Sequence, residues 1–326
     1  MGLFNQDEEG GTMLDVYRRN AAGSLYPVKT IAPGTWINVV APDRDERARL
    51  LQEAHVPEDF LLYGLDPDEG ARFEFDEDNH SGLIIYDMPT VVAHEHQRYS
   101  YKTIPLAMII TPDCIVTLHE EPVPLLGMFV EGKVAGFDPE RRMLAALQMM
   151  YQVSVSYLAY LRDMNKERER TEAKLQKSLR NDDLYGLMSI QRSLVYFMMS
   201  LRTDRNVLDN LRRSHQLTLA EDEQDLLEDI GIEVQQATEM SQISNSIIKE
   251  TADTYSSIIS NNMNGVMKFL TSYSIILTIP TLVFSFYGMN VALPFSHSAL
   301  SWAITILISV LIAAVISVDF WRHRYF

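Results

Sequence analysis

A line of small polar side chains runs through an uncharged, apolar part of the sequence. It consists of hydroxyl residues and a final glycine at steps of three and four: Thr271, Ser274, Thr278, Thr281, Ser285 and Gly288. This spacing predicts that all of them lie on one face of an α-helix. The same face ends outward in Gly288-Met289-Asn290 and extends inward through Met267 to Asn264.

Two interpretations of this polar line are open. Small hydroxyl residues are common where membrane helices pack closely, and a polar line in hydrocarbon must face either protein or water. Six positions in register, with an amide side chain at each end, favour a water-lined path over packing alone. Neutral oxygens without a carboxylate suit a hard cation that keeps its water, such as Mg²⁺, and hold it weakly enough for release.

The surrounding run predicts two membrane spans. No Asp, Glu, Lys or Arg occurs between Lys268 and Asp319, and the runs 269–287 and 299–321 are each long enough to cross the hydrocarbon core. Basic residues lie before the first run and after the second, which predicts that both termini are cytoplasmic at the inner (plasma) membrane. The second span is richer in Ile, Leu and Val and is expected to form an outer ring that faces lipid.

The N-terminal third has the pattern of a mixed α/β domain. The strand candidates are 35–40, 72–75, 82–88, 104–110 and 115–118. Pro42-Asp43 is a plausible start for a charged helix at 44–54. This order of elements predicts helices packed on a mostly antiparallel or mixed sheet.

Long helices follow the α/β pattern. Segments 141–180 and 184–213, separated by Asn181-Asp182-Asp183, predict an antiparallel helical hairpin. The sequence 218–221 matches a helix capping box, and no proline follows until Pro280. One helix of roughly sixty residues, about 90 Å long at 1.5 Å per residue, is therefore possible.

The second half of this helix carries an apolar stripe at steps of three and four. Its members are Ile248, Ala252, Tyr255, Ile259, Met263, Val266 and Leu270. A single helix cannot bury such a stripe, so we expect a stalk in an oligomer. The predicted segments are a cytoplasmic α/β domain (1–135), a cytoplasmic helical hairpin (136–215), a stalk helix (216–268), a pore-lining first span ending in Gly-Met-Asn (269–290), an external loop (291–298), a second span (299–321) and a basic cytoplasmic tail (322–326).

Composition excludes several classes of function. The formal net charge is -16, with the acids almost wholly before residue 269, which argues against a nucleic-acid partner. The single cysteine, Cys114, indicates a reducing compartment. We find no Ser-His-Asp arrangement, Walker loop or dinucleotide fingerprint, so we expect no enzyme and no cofactor. Any transport would then be driven by the ion gradient and the membrane potential.

These features together resemble a known family. Tyr287-Gly288-Met289-Asn290, closing the first of two spans after a long stalk, is similar to the CorA-type magnesium transporter family, as is the run 264–268. The resemblance implies a funnel-shaped homopentamer whose first spans line a central pore for Mg²⁺. It implies that Gly288-Met289-Asn290 is the selectivity filter, with Asn290 as its ring, and that Asn264, Met267 and Leu270 lie near the inner gate.

One departure from the family pattern leaves the identity of the transported ion open. Many members have an acidic outer loop after the tripeptide, whereas 291–298 has no carboxylate here. A Zn²⁺, Co²⁺ or Ni²⁺ transporter on the same fold, with or without proton coupling, therefore remains an alternative. A membrane-anchored oligomeric scaffold that conducts nothing is a second alternative from another class.

Two clusters could bind metal. The stretch 221–229 holds six carboxylates, and by the resemblance Asp229 lies where the family places a stalk carboxylate that binds regulatory Mg²⁺ between subunits, with Asp87 as its partner. Such an ion would hold the pore shut, and its loss would let the acids repel. The simpler interpretation is a solvated helix start, where acids favour the dipole. His94-Glu95-His96 is a weak Zn²⁺-like pair, for which a surface position is favoured.

Overall fold

The computed structural model describes residues 13–93, 99–177, 181–291 and 300–323. The chain divides into an N-terminal unit, Met1–Ile248, and a C-terminal unit, Lys249–Phe326. The elements within the described ranges are β1 (Met13–Arg19), β2 (Leu25–Val28), β3 (Thr35–Val40), α1 (Arg44–Gln52), α2 (Glu58–Gly64), β4 (Arg72–Asp76), β5 (Ser81–Ala93), β6 (Tyr99–Ile110), β7 (Ile115–His119), α3 (Pro124–Val130), α4 (Arg142–Lys177), α5 (Asn181–Arg213), α6 (Glu221–Tyr287) and α7 (Ser301–Arg322).

The N-terminal unit is built on a mixed β-sheet. In the described part of the chain, seven strands follow the order β2-β1-β3-β7-β6-β5-β4, and all neighbours are antiparallel except the parallel pair β3 and β7. Every predicted strand is present, with β5 and β6 longer than expected, so the mixed sheet is confirmed. The sequence did not predict β1 and β2, because charged and aromatic residues alternate with the few buried ones there.

Helices cover both faces of this sheet. On one face, Ile37 and Val39 of β3 belong to a buried apolar cluster that includes Leu50 of α1 and Phe60 of α2. On the other face, Trp36 packs edge-on against Phe129 of α3. Alternate residues of one strand therefore point to opposite helical layers, as the pleat requires.

The helix starts confirm one capping prediction and correct another. Asp43 caps α1, and it forms a reciprocal capping box with Glu46. The box expected at 218–221 is wrong, since α6 begins at Glu221 and the Glu223 side chain accepts a hydrogen bond from the Ala220 amide at 2.9 Å. The helix start lies later because Glu223, not Glu221, occupies the third helical position.

Helices α4 and α5 form the expected antiparallel hairpin. Tyr157 stacks edge-on with Phe197, while residues later in α4, such as Thr171, share a cavity with residues earlier in α5, such as Gly186. Contacts that run in opposite sequence directions show that the helices are antiparallel. The expected break at Asn181-Asp182-Asp183 is wrong, because these residues already form the first turn of α5, where acids favour the helix dipole.

Helix α6 continues without interruption for 67 residues and contains Pro280. It leaves the N-terminal unit, enters the C-terminal unit and ends beside the Gly-Met-Asn sequence. Among the described residues, α6 and α7 are long and apolar enough to cross a membrane. The segment boundaries assigned from the sequence stay predictions, and most of the expected external loop lies outside the described residues.

Candidate ion pathway on the C-terminal unit

The polar line lies on the exposed surface of α6. Thr271, Ser274 and Thr278 border an open groove of about 640 Å³ together with Ile312 and Ile316 of α7. The remaining members, Thr281, Ser285 and Gly288, are also exposed. The helix thus places all six predicted positions where solvent or another chain can reach them.

Different hydroxyl residues are used for packing inside this unit. Ser272 of α6 and Ser309 of α7 are 1% and 2% exposed, and Thr305 is also buried. In contrast, the large apolar side chains of α7 that are exposed include Leu307 and Leu311, as expected for a surface that faces lipid. The small polar residues that support packing within the chain are therefore not those of the polar line.

Two hydroxyl groups of the line donate their hydrogen bonds back into the helix. Ser274 Oγ donates to the Leu270 carbonyl at 2.9 Å, and Thr278 Oγ1 donates to the Ser274 carbonyl at 2.8 Å. Each hydroxyl has a single proton, which is used within the helix. Their exposed oxygen lone pairs can therefore accept hydrogen bonds, for example from the water shell of a cation.

The tripeptide begins where the helical hydrogen bonds end. The Gly288 amide donates to the Phe284 carbonyl at 2.9 Å, and the Met289 amide donates to the Phe286 carbonyl at 3.3 Å. A Cβ atom on Gly288 would lie 3.2 Å from the Phe284 oxygen, a backbone atom. Because glycine has no Cβ atom, the helix can end in a tight turn at this position. Asn290, two residues later, is exposed.

The line continues inward past the residue at which the sequence prediction stopped. Asn264 and Met267 border one shallow surface of about 360 Å³ with Asn261, Lys268 and Thr271. Asn261 was missed, although it lies one step of three before Asn264 and continues the same periodicity. Two amide side chains therefore mark the inner end of the line rather than one.

The acidic cluster at the start of α6 is partly paired. Both guanidinium NH groups of Arg141 donate to the carboxylate of Asp222, at 2.6 and 2.8 Å. This contact lowers the pKa of Asp222 and raises that of Arg141. Asp229 is exposed on α6.

Asp87 has contacts within its own chain. Its carboxylate lies 3.2 Å from the Thr203 hydroxyl, and its amide donates to Asp204 Oδ1 at 2.8 Å. Burial raises the pKa of Asp87. In the part of the chain that is described, no three acidic, histidine or cysteine side chains form a metal site, and the pairing of Asp87 with Asp229 across subunits stays a prediction. His94 and His96 lie outside the described residues.

Comparison with known proteins agrees with this architecture. Residues 33–322 match the family of CorA-like Mg²⁺ transporter proteins. The cobalt/magnesium transport protein CorA of Methanocaldococcus jannaschii is 26% identical over 295 residues, which cover 89% of this chain and 90% of that protein. The complete structure of the CorA magnesium transporter from the same organism has a TM-score of 0.82 and 23% identity, covering 95% of this chain and 98% of that one.

A more distant structure shares the fold. The cytoplasmic domain of ZntB from Vibrio parahaemolyticus has a TM-score of 0.60 and 11% identity, covering 78% of this chain and all 100% of that one.

An α/β domain, a long helix and two apolar C-terminal helices thus define a two-span membrane transporter. The chain belongs to the CorA-like Mg²⁺ transporter family, which confirms the resemblance drawn from the tripeptide and its position. It is accordingly a divalent cation transporter with transmembrane helices, and its family is one of transporters rather than enzymes.

Proposed function

We propose that this protein is a Mg²⁺ uptake channel whose first spans assemble around a central pore. The observation that carries the proposal is the exposed line of hydroxyl groups on α6, in which Ser274 and Thr278 donate their protons to the helix and leave their lone pairs outward. Water bound to Mg²⁺ presents its hydrogens outward, so these oxygens can hold the hydrated ion without stripping its shell.

Selection would take place at the outer end of the line. A ring of Asn290 side chains, presented by the tight turn at Gly288, would offer amide oxygens to the hydrated ion. With no carboxylate along the line, the ion would bind weakly and leave quickly. Passage is therefore driven by the Mg²⁺ gradient and the negative membrane potential, not by nucleotide hydrolysis.

We propose a homopentamer for this assembly. On α6, apolar residues that precede the span remain exposed in the single chain, among them Met263 at 59% and Val266 at 61%. Contiguous apolar surface of this kind marks a contact with another chain or with lipid. Five copies, as the family resemblance implies, would bury the exposed members of this stripe and close a ring around the polar line.

Orientation and gating follow from the charges. Lys268 and Arg322 flank the two spans, which favours an inner (plasma) membrane protein with the α/β domain and both termini in the cytoplasm. Cytoplasmic Mg²⁺ bound by Asp229, with Asp87 of the α/β domain as the expected partner, would favour closure of an inner gate at Asn264, Met267 and Leu270.

A second cation is the main alternative. The relative from Methanocaldococcus jannaschii is named for cobalt as well as magnesium, and residues 291–298 carry no acid that would concentrate a hard cation. Co²⁺, Ni²⁺ or Zn²⁺ would then be the transported ion, with proton coupling as a further variant. A scaffold without conduction is the remaining alternative.

The experiment that separates these functions is uptake into vesicles that contain the full-length protein. Mg²⁺, Co²⁺, Ni²⁺ and Zn²⁺ are compared, with and without a pH gradient and with an inside-negative potential. We expect Mg²⁺ to enter without a pH gradient and faster when the interior is negative. Entry of Zn²⁺ alone, dependent on the pH gradient, would support the alternative, and entry of no divalent cation would leave the scaffold.

A further inference from the structure

The edge of the sheet beside Asp87 is closed by helices. Strand β4 pairs with β5 only over residues 81–85, whereas β5 continues to Ala93. Beyond that point the Asp87 amide donates to Asp204 Oδ1 at 2.8 Å, and the Asp87 carbonyl accepts from the Tyr157 hydroxyl at 3.0 Å. Side chains of α4 and α5 therefore take the place of the missing strand as hydrogen-bond partners. One of the two Asp204 carboxylate oxygens, Oδ1, has its partner in this way.

The second carboxylate oxygen of Asp204 has no such partner. Asp204 is 0% exposed, and its Oδ2 atom has no hydrogen-bond partner within the described residues. A buried carboxylate oxygen without a donor is unfavourable, because it has given up its contacts with water. An additional ligand that supplies positive charge would remove this cost.

Among the described residues, the side-chain donors to the Asp87 carboxylate are the neutral hydroxyl groups of Ser200 and Thr203. Its Oδ2 atom lies 3.2 Å from the Thr203 hydroxyl. The same hydroxyl has the Ser200 carbonyl at 2.8 Å and the Met199 carbonyl at 3.3 Å, and its single proton satisfies one acceptor at a time. The shortest contact is to Ser200, so Asp87 has no secure donor from Thr203.

No basic side chain balances these two acids. In the described ranges, neither Asp87 nor Asp204 has a lysine or arginine acting on its charge. Two adjacent carboxyl groups in an apolar setting can be ionised together only beside a counter-charge, which a bound cation would supply.

We propose that Asp87 and Asp204, with the Thr203 hydroxyl, bind one divalent cation of the Mg²⁺ class within a single chain. The donors are hard oxygens, and Mg²⁺ in proteins is commonly held by one or two carboxylates while water fills its other positions. No histidine or cysteine takes part, which disfavours Zn²⁺. The site goes beyond the proposed pore and does not require conduction.

Such a site would attach α5 to the part of β5 that β4 does not cover. Asp87 lies on β5, whereas Asp204 and Thr203 are neighbours on α5. A cation between them would stabilise this part of the N-terminal unit without a second subunit. The site thus differs from the expected contact between Asp87 and Asp229, in which the ion lies between two chains.

Amide hydrogen exchange of the full-length protein in detergent, measured with and without Mg²⁺, tests the proposal. At a concentration about ten times the dissociation constant, Mg²⁺ should slow local exchange about tenfold in peptides covering 84–90 and 199–207. In Asp204→Asn this effect of Mg²⁺ should disappear. Asp209→Asn, on the same helix, is the matched control and should keep it.

Two further variants keep the test decisive. If Asp204→Asn does not fold, Asp87→Asn serves instead, with far-UV circular dichroism as the check on folding. The proposal is overturned if Mg²⁺ does not slow exchange in the native protein, or slows it equally in the variants. Asn290→Ala should retain the full Mg²⁺ effect, so a failure of the pore proposal can be told apart from a failure of this one.

Discussion

The two units differ in where their polar side chains lie. In the N-terminal unit, Trp36 Nε1 donates to the Thr117 hydroxyl, which donates in turn to Asn38 Oδ1. In the C-terminal unit, the hydroxyl groups of Ser274 and Thr278 bond only to their own helix and remain exposed. The first unit pairs these buried polar groups with one another, whereas the second presents its hydroxyl groups outward.

The apolar residues show the same contrast. Trp36 in the sheet is 0% exposed, whereas Trp302 on α7 is 67% exposed. A soluble surface rarely carries the continuous apolar area found on α6 and α7. The comparison shows that the N-terminal unit folds around its own core, while the C-terminal unit leaves a large apolar surface for lipid or another chain to cover.

The strongest test of this contrast is to remove one tryptophan from each unit. Trp36→Ala should lower the free energy of unfolding of the N-terminal unit by about 3–5 kcal/mol, because a cavity forms and Thr117 loses its donor. Trp302→Ala should leave it unchanged. Denaturant unfolding of the full-length protein, followed by hydrogen exchange in sheet peptides, measures both; equal losses would contradict the contrast.

Acid should destabilise the N-terminal unit through His119. Burial lowers the pKa of His119 to about 4, so the unfolded chain binds more protons than the folded chain between pH 6.5 and 4. Stability linked to this group is therefore present above pH 6.5 and falls as the pH decreases through that window, by about 3 kcal/mol in total.

The measurement is the difference in unfolding free energy between native protein and His119→Gln across pH 7.5 to 4. This difference should shrink as the pH falls, because only the native protein has the buried imidazole. His215→Gln, on an exposed residue, is the control. A difference that stays constant with pH would show that His119 is not held neutral.

Much of the fold was predictable because its signals are local. The run of β-branched and aromatic residues in 35–40 and the absence of proline between residue 218 and Pro280 were sufficient to identify β3 and the long helix. The polar line was equally visible, since steps of three and four identify one helical face. Strands β1 and β2 were not, because their pairing partners rather than their composition make them strands.

The contacts around Asp204 could not be predicted from the sequence either. One aspartate among the charges of α5 has no distinguishing pattern, and its complete burial results from the packing of α5 against β5. The same applies to His119, whose neutrality depends on packing across the sheet. Long-range contacts determine the burial of such residues, whereas the polar line can be recognised from the sequence period alone.

The polar line gives a more moderate prediction. Thr278→Val keeps the shape of the side chain but removes its acceptor oxygen, so Mg²⁺ uptake should fall about tenfold, equivalent to about 1.4 kcal/mol in the barrier. Leu277→Val, on a neighbouring exposed residue off the line, should leave uptake unchanged. Equal rates for both variants would show that the line does not contact the ion.

The smallest effect is expected at the surface of the N-terminal unit. Arg141→Gln removes the contact to Asp222, a surface ion pair whose side chains are 44% and 53% exposed and which salt screens. The melting temperature should fall slightly at low salt and not at all in 1 M salt. Arg162→Gln, on exposed α4 surface, is the comparison, and a loss that persists in high salt would argue against a surface ion pair.

The central claim is that α6 lines a path for hydrated Mg²⁺ that ends at Asn290. Its most direct test is Mg²⁺ uptake into vesicles containing Asn290→Ala, beside Asn262→Ala, which lies on α6 away from the polar line. We predict that uptake falls to the level of empty vesicles for Asn290→Ala and stays at the native rate for Asn262→Ala. Native uptake by Asn290→Ala would contradict the account.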